Sequence, residues 1–300
     1  LHTVFGLPVG PTWQVGIIAV VTVLFVTSSV SGVARGVKLL SVGNLIAAAA
    51  LAGVVFVLGP TVHIIDTFTN SLGGYASEFV RMSLRLTPFR DSSWVGSWTI
   101  FYWAWWLAWS PFVGLFIARV SRGRTIREFV LGVVIAPTLV AFLWFSIFGG
   151  AALSLEIFQG APLADVAAKD SSLALFAMLQ QLPLATLTSI IGTLLVVVFF
   201  VTSGDSATLV LATMSHGGAD NPPHRSKIIW GVLIAGIAAA LLLAGGVQAV
   251  QTASIVFALP FTVVVVLMAV ALVRAIRADW EADQKRQRAL RRRMEQLVQP

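Results

Sequence analysis

The sequence predicts an all-α polytopic membrane protein, and two observations carry that prediction. Hydrophobic residues make up 57% of the 300 residues and charged residues only 11%, against roughly 45–50% and about 25% in soluble domains. The missing charge is missing from long runs, each near the roughly 20 apolar residues that take a helix across a bilayer. No water reaches the backbone there, so every N–H and C=O must bond within its own segment, which means helix.

Taken in order, the runs place seven spans at about 13–33, 39–59, 95–118, 127–149, 184–213, 227–245 and 250–276. Pro111, Pro137 and Pro260 fall inside spans; they kink helices, which membrane bundles tolerate when neighbours satisfy the freed carbonyls. The fifth run is long because the polar residues Thr202, Ser203 and Asp205 interrupt it. Between the second and third spans, Tyr75, Phe79, Met82 and Leu86 recur at helical spacing among Arg81, Arg85 and Arg90. That pattern predicts an amphipathic helix over 71–94 lying on the outer surface; an ordinary polar loop is the alternative.

The connecting segments give the orientation. Arg35 and Lys38, then Arg119, Arg122, Arg124 and Arg127, then His216, His224 and Arg225, fall in alternate loops, with Lys227 just beyond the last. The tail from Arg274 has seven Arg and one Lys against four acids. All four segments lie on one side if every span crosses, and the positive-inside rule makes that side cytoplasmic. The opposite segments are poorer in cations: 150–172 holds Glu156, Asp165, Asp170 and one Lys169. The net charge of +7 is thus a matter of topology, and no nucleic-acid partner is expected. The tail at 277–300 reads as a helix. Lys285, Arg286, Arg288, Arg291, Arg292 and Arg293 form either a solvated end or a segment that responds to anionic lipid, at about 1 kcal/mol per residue near the surface.

Several chemistries are excluded or weak. With no cysteine there is no disulfide, thiolate catalysis or Cys-metal site. His63, His216 and His224 have no metal-ligand spacing. Asp66, Glu78, Glu128 and Glu156 form no catalytic pair, and no Gly-rich phosphate loop is present. No enzyme and no cofactor are expected. Leu1 is not an initiator Met, and the first 11 residues lack the features of a signal peptide. The expectation is that helices preceding Leu1 belong to the same protein.

The most informative stretch is 98–114, where five of the ten tryptophans lie within 12 residues. Interfacial belts explain Trp94 and Trp98. They do not explain Trp105, Trp106 and Trp109, which lie deeper. On a helix, Phe101, Trp105 and Trp109 share a face at steps of four. Trp106 is offset by about 100°, so together they can form two walls. Aromatic faces attract quaternary ammonium groups; packing within the bundle is the alternative reading.

The segment Phe101-Tyr-Trp-Ala-Trp-Trp-Leu-Ala-Trp-Ser-Pro-Phe-Val-Gly-Leu-Phe-Ile-Ala-Arg-Val-Ser-Arg-Gly-Arg-Thr-Ile-Arg-Glu-Phe129 closely resembles the signature region of the betaine/carnitine/choline transporter family. The resemblance covers essentially the whole chain, as helices six to twelve of a twelve-helix protein. It implies a LeuT-like core of two inverted five-helix repeats with substrate near the bilayer midplane. Residues 1–70 would be the last two helices of the first repeat, 71–94 the periplasmic amphipathic helix, 95–276 the second repeat and 277–300 the basic tail. By the same resemblance Phe101, Trp105, Trp106 and Trp109 contribute to an aromatic box for a trimethylammonium group. The other half of the box would come from helix four.

Phe199-Phe-Val-Thr-Ser-Gly-Asp205 is the second constellation. Thr202 and Ser203 are adjacent hydroxyls deep in an apolar run, either ligands for a hard cation or side chains bonded back to their own helix. The resemblance assigns Phe199, Thr202 and Ser203 to a sodium site completed by helix three. Asp205 is an intramembrane or near-membrane acid, read as pairing or gating helices rather than as a ligand. Sodium-independent exchangers of the family carry Met four residues after the last box Trp; Val113 stands there, which favours an ion-coupled symporter. The function implied is import of a quaternary-ammonium compatible solute (glycine betaine, or choline or carnitine) by alternating access in the cell membrane, with sodium as coupling ion and a homotrimer as the assembly. The reading from a different class is a membrane osmosensor or scaffold whose lipid-responsive tail is its output.

Overall fold

A computed structural model describes residues 6, 8, 10–31, 34–86, 89, 94–219 and 221–298, with the side chains of 34–38, 112, 115, 116, 119, 120 and 292–298 excepted. The described residues are almost wholly helical: α1 (Pro11–Ser31), α2 (Ala34–Leu58), α3 (Thr61–Ser83), a π-helical turn (Val95–Ile100), α4 (Phe101–Val120), α5 (Ile126–Gln159), α6 (Leu163–Lys169), a 3₁₀ turn (Ser171–Leu173), α7 (Ala174–Leu179), α8 (Ala185–Ser215) and α9 (His224–Val298). Among the described residues, five helices are long and apolar enough to cross a membrane: α1, Leu39–Leu58, α5, α8 and the stretch His224–Arg291. The chain is an all-α, multi-pass membrane protein. The last of the five is two helices joined at Gly245 and Gly246, whose torsions leave the helical region, so the sixth and seventh expected spans are separated there.

Several boundaries differ from expectation. The expected loop 34–38 is the first turn of α2. The amphipathic helix begins at Thr61 rather than near residue 71 and ends at Ser83. The cause is a short link, Gly59–Pro60. The Gly59 N–H donates to the Val55 carbonyl at 2.9 Å and the Thr61 hydroxyl to the Phe56 carbonyl at 2.7 Å, so α3 starts as soon as α2 stops. Leu86 falls beyond the helix, and Arg90 lies outside the described residues.

The fourth span runs on to Gln159 instead of stopping at 149. Gly149 and Gly150 do not break it because the bare Cα of Gly150 meets α3: a Cβ there would lie 3.1 Å from the Thr67 hydroxyl oxygen. A capping box starts this helix, with the Thr125 hydroxyl accepting from the Glu128 N–H and the Glu128 carboxylate accepting from the Thr125 N–H. Gly160, at φ 69°, ends it. The Glu156 carboxylate then accepts from the N–H groups of Leu163 and Ala164 at 2.6 and 2.9 Å, which caps α6.

The chain forms two compact units, residues 1–86 with 115–246, and 87–114 with 247–300. In the first, Leu51, Val55, Ile64, Ala151, Leu155, Leu179 and Leu195 form the main core of α2, α3, α5, α7 and α8. A smaller cluster of Val21, Phe25 and Val201 joins α1 to α8. Close approach there depends on two glycines. A Cβ on Gly204 would sit 2.8 Å from the Phe25 ring, and one on Gly231 2.3 Å from a Val26 methyl, which fits the use of small residues where membrane helices touch. In the second unit, Val95, Ala104 and Ala258 are buried.

Candidate functional site

Two constellations carry the chemistry, one in each unit. In the second unit the π-helical turn, closed by a bond from the Phe101 N–H to the Gly96 carbonyl, leads into α4. From there a string of rings runs down the helix. Trp98 stacks on Tyr102 at 5.6 Å with 8° between planes. Tyr102 meets Phe101 at 5.4 Å and Trp105 at 6.3 Å, both edge to face. Trp105 meets Trp106 at 5.9 Å and Trp109 at 6.4 Å, again edge to face.

Trp105, Trp106 and Trp109 are thus brought together with Trp105 central, and Phe101 joins through Tyr102. Tyr102 is the residue the spacing argument missed. It lies three residues before Trp105 and seven before Trp109, on the same helical stripe. Edge-to-face packing holds each ring in place while leaving π-faces open, and Trp105, Trp106 and Trp109 are 41%, 62% and 40% exposed. Such faces are what a cation binds.

In the first unit, α8 carries Phe199, Thr202 and Ser203. The Thr202 hydroxyl donates to the carbonyls of Val198 and Phe199 at 2.9 and 3.1 Å. This is the back-bonded arrangement that was the alternative to a ligand role, yet donation leaves the oxygen lone pairs available. The Ser206 hydroxyl takes the Thr202 carbonyl at 2.9 Å. Ser203 is exposed, and its hydroxyl forms no hydrogen bond within the described residues. The oxygens here are hydroxyls and carbonyls, the donor set suited to a hard monovalent cation.

Asp205 turns to α1, where its carboxylate accepts from the Ser28 hydroxyl at 3.3 Å. That is helix pairing, as its sequence position suggested. Sequence reasoning missed its companion. Lys227 is only 5% exposed, and its ammonium donates to the Ser29 carbonyl at 3.1 Å. Two opposite charges thus grip adjacent residues of one helix end.

His63 packs on Phe158 at 4.6 Å beside a cleft of about 420 Å³ between α3 and α5. His216 approaches the Ala212 carbonyl at 3.1 Å. Arg81 pairs with Glu78 on the surface of α3. No group of three metal-binding side chains occurs among the described residues. In the tail, Lys285, Arg286, Arg288 and Arg291 are exposed on a continuing helix; Arg292 and Arg293 share its backbone, and their side chains lie outside the described residues.

Comparison with known proteins settles the family. A profile for the betaine/carnitine/choline family transporter matches residues 1–281. The chain belongs to the betaine/carnitine/choline transporter family. It is 46% identical over 288 residues to the ectoine/hydroxyectoine transporter of Virgibacillus pantothenticus, covering 96% of this chain and 58% of that protein. To the glycine betaine transporter OpuD of Bacillus subtilis it is 47% identical over 278 residues, 92% of this chain and 54% of that one. A glycine betaine/proline/choline transporter of Vibrio parahaemolyticus matches at 42% over 278 residues, 92% of this chain and 49% of its own length. The chain of this family member therefore spans about half the length of the curated relatives it matches.

Proposed function

We propose that this chain is the part of a secondary transporter that supplies one wall of a quaternary-ammonium site and one side of a sodium site. The solute is glycine betaine, or choline or carnitine. The observation that carries the reading is the ring string centred on Trp105, with Trp106 and Trp109 within 6.4 Å of it. A trimethylammonium group has no N–H to donate, so a cage of π-faces recognises it better than hydrogen-bond acceptors do. Of the relatives' printed substrates, glycine betaine and choline carry such a trimethylammonium group; ectoine is a zwitterion whose ring cation retains N–H groups.

Phe199, Thr202 and Ser203 supply oxygen ligands to sodium, the coupling ion. Val113 in place of Met agrees with an ion-coupled symporter. The fold is LeuT-like, and the solute crosses by alternating access: sodium and solute load the outward-open state, and the bundle rocks around the site. The basic tail is cytoplasmic, where anionic lipid attracts it, and the assembly is a homotrimer.

Uptake of labelled glycine betaine by cells expressing the encoding gene tests the reading, with Trp105→Ala and Trp109→Ala as the informative variants. Uptake unchanged in both would remove the aromatic wall. Replacing sodium by potassium tests the coupling: uptake that persists undiminished would remove Thr202 and Ser203 as ion ligands.

A further inference from the structure

We propose that Lys227 is a positioning residue for transport. It fastens the C-terminal end of α1 to the start of α9, beside the contact that Asp205 makes to α1 from the helix bearing Thr202 and Ser203, and this grip opens and closes during the cycle. The inference rests on the transporter reading above and adds to it the residue that controls one end of the bundle.

Four observations converge. Lys227 lies in the first turn of α9 and is 5% exposed, although a lysine ordinarily extends its ammonium to water. Its charge sits at the positive end of its own helix, which is unfavourable. It reaches the negative end of another, since Ser29 is two residues from the end of α1. On the other side of the junction Asp205 holds the neighbouring Ser28. Asp205 is two residues from Ser203 on α8, so whatever moves that segment of α8 pulls on the end of α1.

The junction is also incompletely satisfied. Among the described residues the Thr208 hydroxyl is buried without a hydrogen-bond partner, and the buried Ser29 hydroxyl lies beside the Asp205 carboxylate without a well-formed bond to it. A junction built only for stability would be apolar, because buried charge and orphaned hydroxyls both weaken it. Here Phe25 fits against Gly204 and Gly231, and directly beside that tight apolar contact lies a polar seam. A seam of this kind is near balance between a closed, dry form and an open form in which water reaches Ser29 and Thr208. That makes it a two-state element that a bound ion can bias.

This chain has no cysteine, so a single thiol placed in it can be followed once any cysteine elsewhere in the protein is replaced by Ser. Thr208→Cys places one thiol at a fully buried position in the seam, and Thr193→Cys, as a separate variant, places one at a buried position farther up α8. Each protein is put in nanodiscs, and the rate of modification by a water-soluble maleimide is measured with and without Lys227→Met. The expected result is that Lys227→Met speeds labelling at 208 by about tenfold or more, leaves 193 within about twofold, and that Lys227→Arg largely restores the slow rate at 208. Sodium with glycine betaine changes the rate at 208 in the parent and has no effect on it in Lys227→Met.

An unchanged rate at 208 overturns the grip. Equal acceleration at 208 and 193 overturns it in favour of general loosening. A parent rate that ignores sodium and glycine betaine overturns the cycling. Should Lys227→Met fail to yield folded protein, Lys227→Gln, which keeps a polar tip but removes the charge, is read in the same way with the same outcomes. Labelling without solute does not depend on uptake, so a parent that takes up no solute removes the transporter reading while the grip is still decided.

Discussion

Trp105→Ala is the sharpest perturbation of the aromatic wall, because Trp105 alone contacts Tyr102, Trp106 and Trp109. A cation–π contact in a desolvated site is worth about 2 kcal/mol. Each edge-to-face ring pair adds about 0.5–1.5 kcal/mol beyond its buried area. That second contribution is felt through the stiffness of Trp106 and Trp109 rather than directly on the solute. Counting the cation contact alone, the half-saturating glycine betaine concentration should rise about thirtyfold, since 1.4 kcal/mol is tenfold. Trp105→Phe keeps a smaller π-face and should cost about threefold to tenfold. Trp103 provides the contrast. It lies on the same helix, is 68% exposed and makes no ring contact among the described residues, so Trp103→Ala should stay within about twofold. Concentration curves for labelled glycine betaine, normalised to surface expression, give the comparison. Equal losses at 103 and 105, or none at 105, would refute the wall.

Other expectations follow from the same geometry. Ser203→Ala should raise the sodium concentration for half-maximal uptake about tenfold with little change in thermal stability, because the hydroxyl removed makes no hydrogen bond among the described residues. Gly231→Ala should lower stability by about 1–3 kcal/mol through overpacking against Val26, with Val26→Ala relieving most of the clash in a double-mutant cycle read by thermal melting. Gly246→Ala should cost at least about 1 kcal/mol in the same melt, because φ 62° with ψ −140° is a region that a Cβ disfavours. Replacing Lys285, Arg286, Arg288 and Arg291 by Gln should speed proteolysis of the tail in nanodiscs in proportion to the anionic lipid present, through a loss of up to about 1 kcal/mol of surface attraction per residue; nanodiscs of neutral lipid should show no difference.

The apolar runs and the Trp spacing were legible in the sequence because both are local: hydropathy and a 3.6-residue period need no partner. Several of the misses depend on a partner. Gly149 and Gly150 look like a helix end in one dimension, and only contact with Thr67 shows why the helix continues. Residues 34–38 read as a loop because Arg35 and Lys38 are charged, yet charge marks the level of a membrane surface and does not end a helix. Lys227 was counted among the positive charges of its loop, and nothing local distinguishes a lysine in water from one folded back onto Ser29. Asp205 was singled out because an acid in an apolar run stands out, whereas the serine that holds it is 177 residues away. Tyr102 was hidden by its brighter neighbours, although its spacing to Trp105 and Trp109 was there to be read.

The π-helical turn at Val95–Ile100 bears on how this segment tolerates change in length. A π-helix holds one more residue per turn than the α-helix it interrupts. Losing one residue from 95–100 would let that turn relax to α, with the rings from Phe101 onward keeping their mutual order. Losing one between Trp105 and Trp109 has no such slack and would swing the later ring by about 100°. The turn therefore acts as a joint where the gene can drop a codon, and below it the spacing of the tryptophans is fixed.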